Sequence, residues 1–81
     1  MKVKVKFFAA LKERVGMAEI SKELVEGTTV EQLWEALHTD YPQLPAAKMR
    51  LLYAVNKNYV TGGHVLQDQD EVVFVPPVSG G

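Results

Sequence analysis

The chain of 81 residues contains no cysteine. This absence excludes a disulfide framework, a thiolate metal site and a nucleophilic or sulfur-bearing cysteine. A strong charge of one sign is also missing, because nine Lys and Arg residues against ten Asp and Glu residues leave a net charge of −1. Domains that bind nucleic acid usually carry a basic patch, so we expect no nucleic-acid partner.

Long hydrophobic runs are missing as well. No apolar stretch approaches the roughly 20 residues that a membrane-spanning helix needs. The N-terminus alternates lysine with valine, which differs from the continuous apolar core of a signal peptide. Apolar residues make up 47% of the chain, as in an ordinary globular domain. We therefore expect one small cytoplasmic domain with no membrane partner.

The N-terminal part of the chain predicts a strand, a short helix and a second strand. Val3, Val5 and Phe7 alternate with lysines, so residues 2–8 are expected to form a strand with one solvated face. Phe8 breaks the alternation, because it falls on the lysine side. Residues 9–15 are rich in helix formers and end at a glycine, and residues 18–25 are predicted as the second strand.

The clearest helix in the sequence is expected to begin at Thr28. Thr28 and Glu31 have the spacing of a capping box, in which a hydroxyl and a carboxylate satisfy free backbone N–H groups. Pro42 and Pro45 end the helical region. The apolar residues that follow the cap at helical spacing, and that we assign to the core, are Val30, Leu33, Trp34 and Leu37.

Two continuously apolar runs, residues 51–55 and 72–75, predict central strands that are covered on both faces. Asn56-Lys57-Asn58 has the composition of a turn before a short strand at Tyr59-Val60. The resulting order of elements is typical of an α+β fold, the β-grasp or ubiquitin-like roll, in which one main helix covers a mixed four- to five-stranded sheet. We predict that residues 1–75 form this domain.

One apolar face of the predicted sheet is left without a cover. The main helix covers a single side, yet alternate residues of the strand 72–75 face away from it. The apolar residues expected on the uncovered side are Phe8, Tyr59, Val73 and Val75. A contiguous exposed patch of this kind usually docks a partner. The alternative is that the short helix 9–15 or the loop 42–50 folds over it.

Residues 76–81 are predicted to form an extended tail, with the sequence Pro76, Pro77, Val78, Ser79, Gly80 and Gly81. The prolines stop the strand and stiffen the chain, and the two glycines fit a channel too narrow for any Cβ. At ~3.3 Å per residue the tail reaches roughly 20 Å. It is either a frayed terminus or the carrier of a reactive carboxylate. The terminal carboxylate is ionised at neutral pH, and it resists nucleophilic attack until ATP-dependent adenylation supplies a leaving group.

Four segments together support a resemblance to a known family. They are Phe7-Phe8-Ala9 followed by Leu11-Lys12-Glu13 and Gly16, then Ala54-Val55-Asn56, then Asp70-Glu71-Val72, and finally the tail from Pro76 to Gly81. By these residues the whole chain resembles the small subunits of molybdopterin synthase, which are ubiquitin-like sulfur carriers of molybdenum cofactor synthesis. The sulfur carriers of thiamine synthesis are similar in their Gly-Gly end but are typically shorter.

The resemblance implies a mechanism that uses the tail. An adenylyltransferase related to ubiquitin-activating enzymes uses ATP to adenylate Gly81, and a sulfur-donor system converts the transient glycyl-adenylate to a thiocarboxylate, 1-thioglycine. The tail then enters the large subunit of molybdopterin synthase, where sulfur passes to cyclic pyranopterin monophosphate and builds the dithiolene.

The family also implies a heterotetramer, with large-subunit contacts at Phe8, Tyr59, Val75 and the tail. The carrier itself is expected to hold no metal and no cofactor, and its partners supply the catalytic acid–base groups. His38 and His64 have no second ligand at metal-binding spacing.

Two positions depart from the family pattern. Gln69 stands where the family usually has glycine, so it is either strained at positive φ or part of a different turn type. Val75 is smaller than the aromatic residue that occurs there, which predicts a weaker anchor. Three alternatives stay open beside the molybdopterin pathway: another sulfur pathway such as thiamine synthesis, a ubiquitin-like protein modifier, and a plain interaction domain.

Overall fold

Five strands and two helices follow one another in the predicted order in the computed structural model, which describes residues 1–44 and 51–75. The elements are β1 (Lys2–Phe7), α1 (Ala9–Val15), β2 (Glu19–Glu23), α2 (Val30–Asp40), β3 (Leu52–Val55), β4 (Asn58–Val60) and β5 (Glu71–Val75). The predicted tail, residues 76–81, lies outside the described residues, as does Pro45.

The strands form one mixed sheet in the order β2-β1-β5-β3-β4. β1 and β5 run parallel at its centre, and every other neighbouring pair is antiparallel. A parallel pair needs a long crossover, and here that crossover contains α2. The predicted β-grasp roll is therefore confirmed, with five strands and one main helix.

α1 begins directly after β1 and ends where the sequence predicts. Phe8 precedes the helix with extended backbone angles, φ −122° and ψ 156°, and its side chain makes no capping hydrogen bond. Gly16 ends the helix in the left-handed conformation at φ 85°, and its N–H donates to the carbonyl of Lys12. Glycine is the residue that adopts this conformation without a steric penalty.

The capping box of α2 lies one residue later than predicted. Thr29 is the N-cap: its hydroxyl accepts from the Gln32 N–H at 3.2 Å, and the Gln32 side chain accepts from the Thr29 N–H at 3.0 Å. The prediction of Thr28 with Glu31 is wrong because Thr28 is committed elsewhere. Its hydroxyl donates to the carbonyl of Val25 at 2.7 Å, and its own carbonyl accepts from Leu66 at 2.9 Å.

The hydrophobic core lies between the sheet and the two helices. Trp34 on α2 packs against Phe74 of β5, with ring centroids 4.9 Å apart, so its assignment to the core is confirmed. Leu11 and Val15 of α1 enter the same core. The remaining buried apolar residues are Val3, Val5, Phe7, Val30, Leu33, Leu37, Leu44, Val55, Leu66 and Val72. Within the two described ranges, neither helix is long and apolar enough to span a membrane.

The turn before β5 holds Gln69 in the left-handed region, at φ 70°. Its N–H donates to the carbonyl of Lys2 at 2.7 Å, and the neighbouring Asp68 carboxylate accepts from the Lys2 N–H at 2.7 Å. This hydrogen bond to the Lys2 backbone, with further help from the Gln69 side chain, lowers the pKa of Asp68. Of the two alternatives for Gln69, the structure has the one at positive φ, where a side chain crowds the following carbonyl and strain is expected.

Replacing Gln69 by glycine is expected to stabilise the fold. Glycine adopts positive φ without the steric penalty, so Gln69→Gly should raise the free energy of unfolding by about 0.5–1 kcal/mol. Thermal unfolding would then show a midpoint roughly 2–8 °C higher.

Gln67 supplies the matched control, since it is exposed in the same segment but lies outside the left-handed region. Gln67→Gly should lower the midpoint, because it only adds freedom to the unfolded chain. A midpoint that falls in both variants would show that positive φ at Gln69 carries no strain.

Candidate functional site

The side of the sheet opposite α2, here called the open face, carries a cluster of apolar side chains on β3, β4 and β5. Cross-strand register pairs Leu52 with Val75, Ala54 with Val73, and Ala54 with Tyr59. Leu52 is 54% exposed and Tyr59 is 74% exposed. The prediction that both faces of the central strands are covered is therefore wrong at Leu52, which is exposed, whereas Ala54, Val73 and Val75 on the same face are half-buried.

Phe8 extends this apolar cluster past the end of β1. β1 and β5 are parallel, and the last pair in register is Phe7 with Phe74, so Phe8 comes next in the direction of Val75. Phe8 directly follows β1 with extended backbone angles, so alternation of side chains assigns it to the open face, and it is 52% exposed, whereas Phe7 is 1% exposed. We define the apolar half of the open face as Phe8, Leu52, Ala54, Tyr59, Val73 and Val75.

The other half of the open face, on β1, β2 and the first residue of β5, is charged. Lys4 Nζ lies 4.0 Å from a Glu19 carboxylate oxygen, and Lys6 Nζ lies 3.5 Å from a Glu71 carboxylate oxygen. Such exposed pairs contribute little to stability. They compensate the charges of Lys4 and Lys6, as in a solvated strand surface.

Neither α1 nor the described part of the loop that follows α2 covers the apolar half. Leu11 and Val15 of α1 are buried in the core that α2 also lines. Leu44 belongs to the same core and is 5% exposed. The alternative that the short helix folds over the open face is therefore wrong. Of the predicted loop 42–50, residues 45–50 lie outside the described residues.

The last residue of β5 lies within the apolar half. β5 ends at Val75, whose cross-strand neighbour is Leu52, and Phe8 comes after the end of β1 in the direction of Val75. The predicted tail residues Pro76, Pro77, Val78, Ser79, Gly80 and Gly81 lie outside the described residues. A partner that docks on the apolar half would therefore meet the point at which the tail begins.

Asn56 fixes the hairpin that presents Tyr59. Asn56 and Lys57 both have positive φ, at 50° and 72°, which closes the two-residue turn between β3 and β4. The Asn56 amide donates to an Asp70 carboxylate oxygen at 2.8 Å and accepts from the Glu71 N–H at 3.0 Å. These contacts attach the hairpin to the start of β5.

Two features of this site are missing from the prediction: the contribution of Leu52 and the hydrogen bond between Asn56 and Asp70. Leu52 lies two residues before Ala54 in the apolar run 51–55, so strand alternation alone assigns both to one face. The link between Asn56 and Asp70 spans 14 residues of sequence, and no local pattern announces it.

Two groups with altered pKa values lie away from the apolar half. Burial, with a further contribution from the nearby Glu31 carboxylate, raises the pKa of Tyr53, whose ring packs edge-on against the buried Phe74. Asp68 lies in the turn at the far end of β1 from Phe8. Within the described ranges, no three His, Asp or Glu residues are grouped to hold a metal ion. The chemistry that the open face supports is contact with another protein.

Comparison with known proteins gives a family match and close relatives. The model of the ThiS family matches residues 5–81. The molybdopterin synthase sulfur carrier subunit of Escherichia coli is 41% identical over 81 residues, covering 98% of this chain and 99% of the relative. The corresponding subunit of Mycobacterium tuberculosis is 39% identical over 84 residues, covering 100% and 99%.

Solved structures share the whole fold. SAMP1 from Haloferax volcanii superposes with a TM-score of 0.87 at 25% identity over all of both chains. A molybdopterin converting factor subunit 1 from Pyrococcus furiosus gives 0.84 at 32% identity, covering 96% of this chain and 99% of that one. A chain from the complex of subunits 1 and 2 of molybdopterin-converting factor from Helicobacter pylori gives 0.69 at 23% identity, with both chains fully covered.

Proposed function

The chain belongs to the ThiS family and, within it, to the molybdopterin synthase sulfur carrier subunits, and from this premise we propose how it works. It docks on the large subunit of molybdopterin synthase through the apolar half of the open face, and it delivers sulfur from the C-terminus of Gly81. The observation that carries this proposal is that an apolar surface, which the described residues leave exposed at Phe8, Leu52 and Tyr59, includes Val75, the last residue before the tail.

The docking step follows from the exposed area. Burying apolar surface yields about 25 cal/mol per Å² removed from water, and aromatic residues are the usual anchors of protein interfaces. Phe8 and Tyr59 are such anchors, at 52% and 74% exposure. Val75 and Leu52 lie between them on β5 and β3. We propose a heterotetramer with two carriers and two large subunits.

The chemical step belongs to the tail. In our proposal a carboxylate oxygen of Gly81 attacks the α-phosphorus of ATP on a ubiquitin-activating-like adenylyltransferase, which releases pyrophosphate and forms a glycyl-adenylate. A hydrosulfide equivalent from a sulfur-donor system then attacks the carbonyl carbon, AMP leaves, and 1-thioglycine remains. The sulfur of each thiocarboxylate bonds to cyclic pyranopterin monophosphate, water then cleaves its bond to the carbonyl carbon so that Gly81 returns to a carboxylate, and two such transfers complete the dithiolene of molybdopterin.

In this scheme the carrier positions the C-terminus of Gly81, while its partners supply the acid–base groups. It binds no cofactor of its own, because ATP is held by the activating enzyme. Since adenylation draws on ATP, we place the protein in the cytoplasm. Roughly 20 Å of reach for residues 76–81 allows Gly81 to enter an active site while the domain stays docked outside.

A protein modifier is the second candidate function. The likeness to SAMP1 favours it, because the small archaeal modifier proteins share this fold over the whole chain. The same activated Gly81 would then form an isopeptide bond with a lysine of another protein. A carrier for another sulfur pathway, such as thiamine synthesis, would share every step up to the thiocarboxylate.

Intact mass spectrometry tests the proposed function. Incubation with ATP, the activating enzyme and a sulfur donor should raise the mass of the carrier by about 16 Da, the difference between sulfur and oxygen. Omission of ATP is the control and should leave the mass unchanged. A carrier that gains no mass under the full conditions would contradict the proposal, and conjugates on other proteins would favour the modifier.

A further inference from the structure

A groove of about 290 Å³ opens beside the apolar half, where β1, α1 and the start of β2 meet. It is lined by Lys6, Phe7, Phe8, Lys12, Ala18 and Glu19. At the groove, the Phe7 N–H donates to the carbonyl of Ala18 at 2.8 Å, which joins the end of β1 to the residue just before β2. Phe8 belongs both to this groove and to the apolar half, so the two surfaces are continuous.

The charged residues of the groove differ in whether they have an ion-pair partner. Lys6 is paired with Glu71 at 3.5 Å, and Glu19 is paired with Lys4 at 4.0 Å. Lys12 is exposed, and within the described ranges it forms no ion pair. Among the described residues, the ammonium group of Lys12 is therefore the charge at the groove that has no ion-pair partner.

The position of Lys12 relative to Phe8 follows from helix geometry. Phe8 is the N-cap of α1, and Lys12 comes four residues later, so both lie on the same side of the helix. The lysine stem adds apolar surface to the groove while its charged end stays at the rim. The groove thus combines an apolar floor with one positive charge at its edge.

We infer that this groove selects the partner: it receives an apolar side chain of the large subunit that is flanked by a carboxylate, and Lys12 pairs with that carboxylate. The inference rests on the proposed function and adds the chemistry of the complementary surface. A charge at the rim of an interface acts mainly on the association rate and on its dependence on salt. Lys12 is therefore a specificity-determining residue beside the apolar anchor Phe8.

Association kinetics of the purified carrier with the purified large subunit test this role. Lys12→Glu should slow association about tenfold at low salt, and Lys12→Gln about threefold. Both differences should shrink toward none near 1 M salt, where the Debye length falls to about 3 Å. Dissociation rates should change by less than the association rates.

Lys2→Glu is the matched control. It makes the same change of charge on an exposed lysine, at the end of β1 far from Phe8 and outside the apolar half. It should alter the association rate by less than about twofold. Equal slowing by Lys12→Glu and Lys2→Glu would overturn the inference, because net charge alone would then explain both.

The two proposals fail in different ways. If the unmodified carrier does not bind the large subunit at all, the proposed function is wrong and the inference falls with it. If the unmodified carrier binds and Lys12→Glu binds equally fast at low salt, only the role of Lys12 is wrong.

Discussion

A carrier that lacks Gly81 is expected to lose sulfur transfer almost completely while its domain stays folded. Deleting the last residue moves the terminal carboxylate back by ~3.3 Å along an extended chain. A displacement of only about 1 Å can cost 10²-fold in rate, because reacting atoms must approach within about 3–3.5 Å. We therefore expect molybdopterin formation below about 1% of normal, measured with the activating enzyme, ATP, a sulfur donor and the large subunit.

One residue appended after Gly81 is the complementary variant, because it overshoots the reactive position by the same distance. Both variants should keep the unfolding free energy within about 0.5 kcal/mol, since the core residues of the described ranges all precede the tail. Both should also keep binding the large subunit, because the apolar half is unchanged. Normal molybdopterin formation by either variant would refute the proposed role of the terminal carboxylate.

Much of the fold is predictable because its local signals agree with one another. Alternation of Val3, Val5 and Phe7 with lysines predicts β1, and all three side chains are at most 1% exposed. The stripe that includes Trp34 predicts α2, since no other element of the chain has that spacing. Such agreement between local pattern and global fold is what makes a sequence specify one structure.

The errors arise where one local pattern permits two outcomes. Thr28 and Thr29 each have a Glu or Gln three residues later, so spacing alone does not decide between two capping boxes. Tertiary contacts decide, because the carbonyl of Thr28 is bonded to Leu66. The link from Asn56 to Asp70 is hidden for a related reason: it depends on β3 and β5 being neighbours in the sheet.

The apolar half shows which parts of the site can be predicted from the sequence alone. Alternation along β5 assigns Val75 to the open face, but only the register shows that Leu52 lies beside it and that Phe8 follows the end of β1 in its direction. Exposure is likewise a property of the assembled domain. An apolar run in the sequence predicts a strand that is covered on both faces. Only the positions of the helices in the folded domain show which face stays exposed.

Phe8→Ala is expected to weaken binding to the large subunit strongly while lowering stability only slightly. An aromatic anchor of an interface typically raises the dissociation constant about 10- to 100-fold when truncated. Phe8 is 52% exposed and makes no capping hydrogen bond with its side chain, so neither core packing nor a helix cap is lost. Because about half of Phe8 is still buried, the free energy of unfolding should fall by up to about 1 kcal/mol, well below the cost of removing a core aromatic residue.

Phe7→Ala is the matched control, since it removes the same ring from the adjacent residue on the opposite face of β1. Phe7 is 1% exposed and its ring lies 6.5 Å from that of Tyr41, so its loss should cost about 3–5 kcal/mol of unfolding free energy. Titration with the large subunit and chemical denaturation, run on both variants, separate the two roles. A large loss of stability with normal affinity in Phe8→Ala would place Phe8 in the core and remove the anchor on which docking depends.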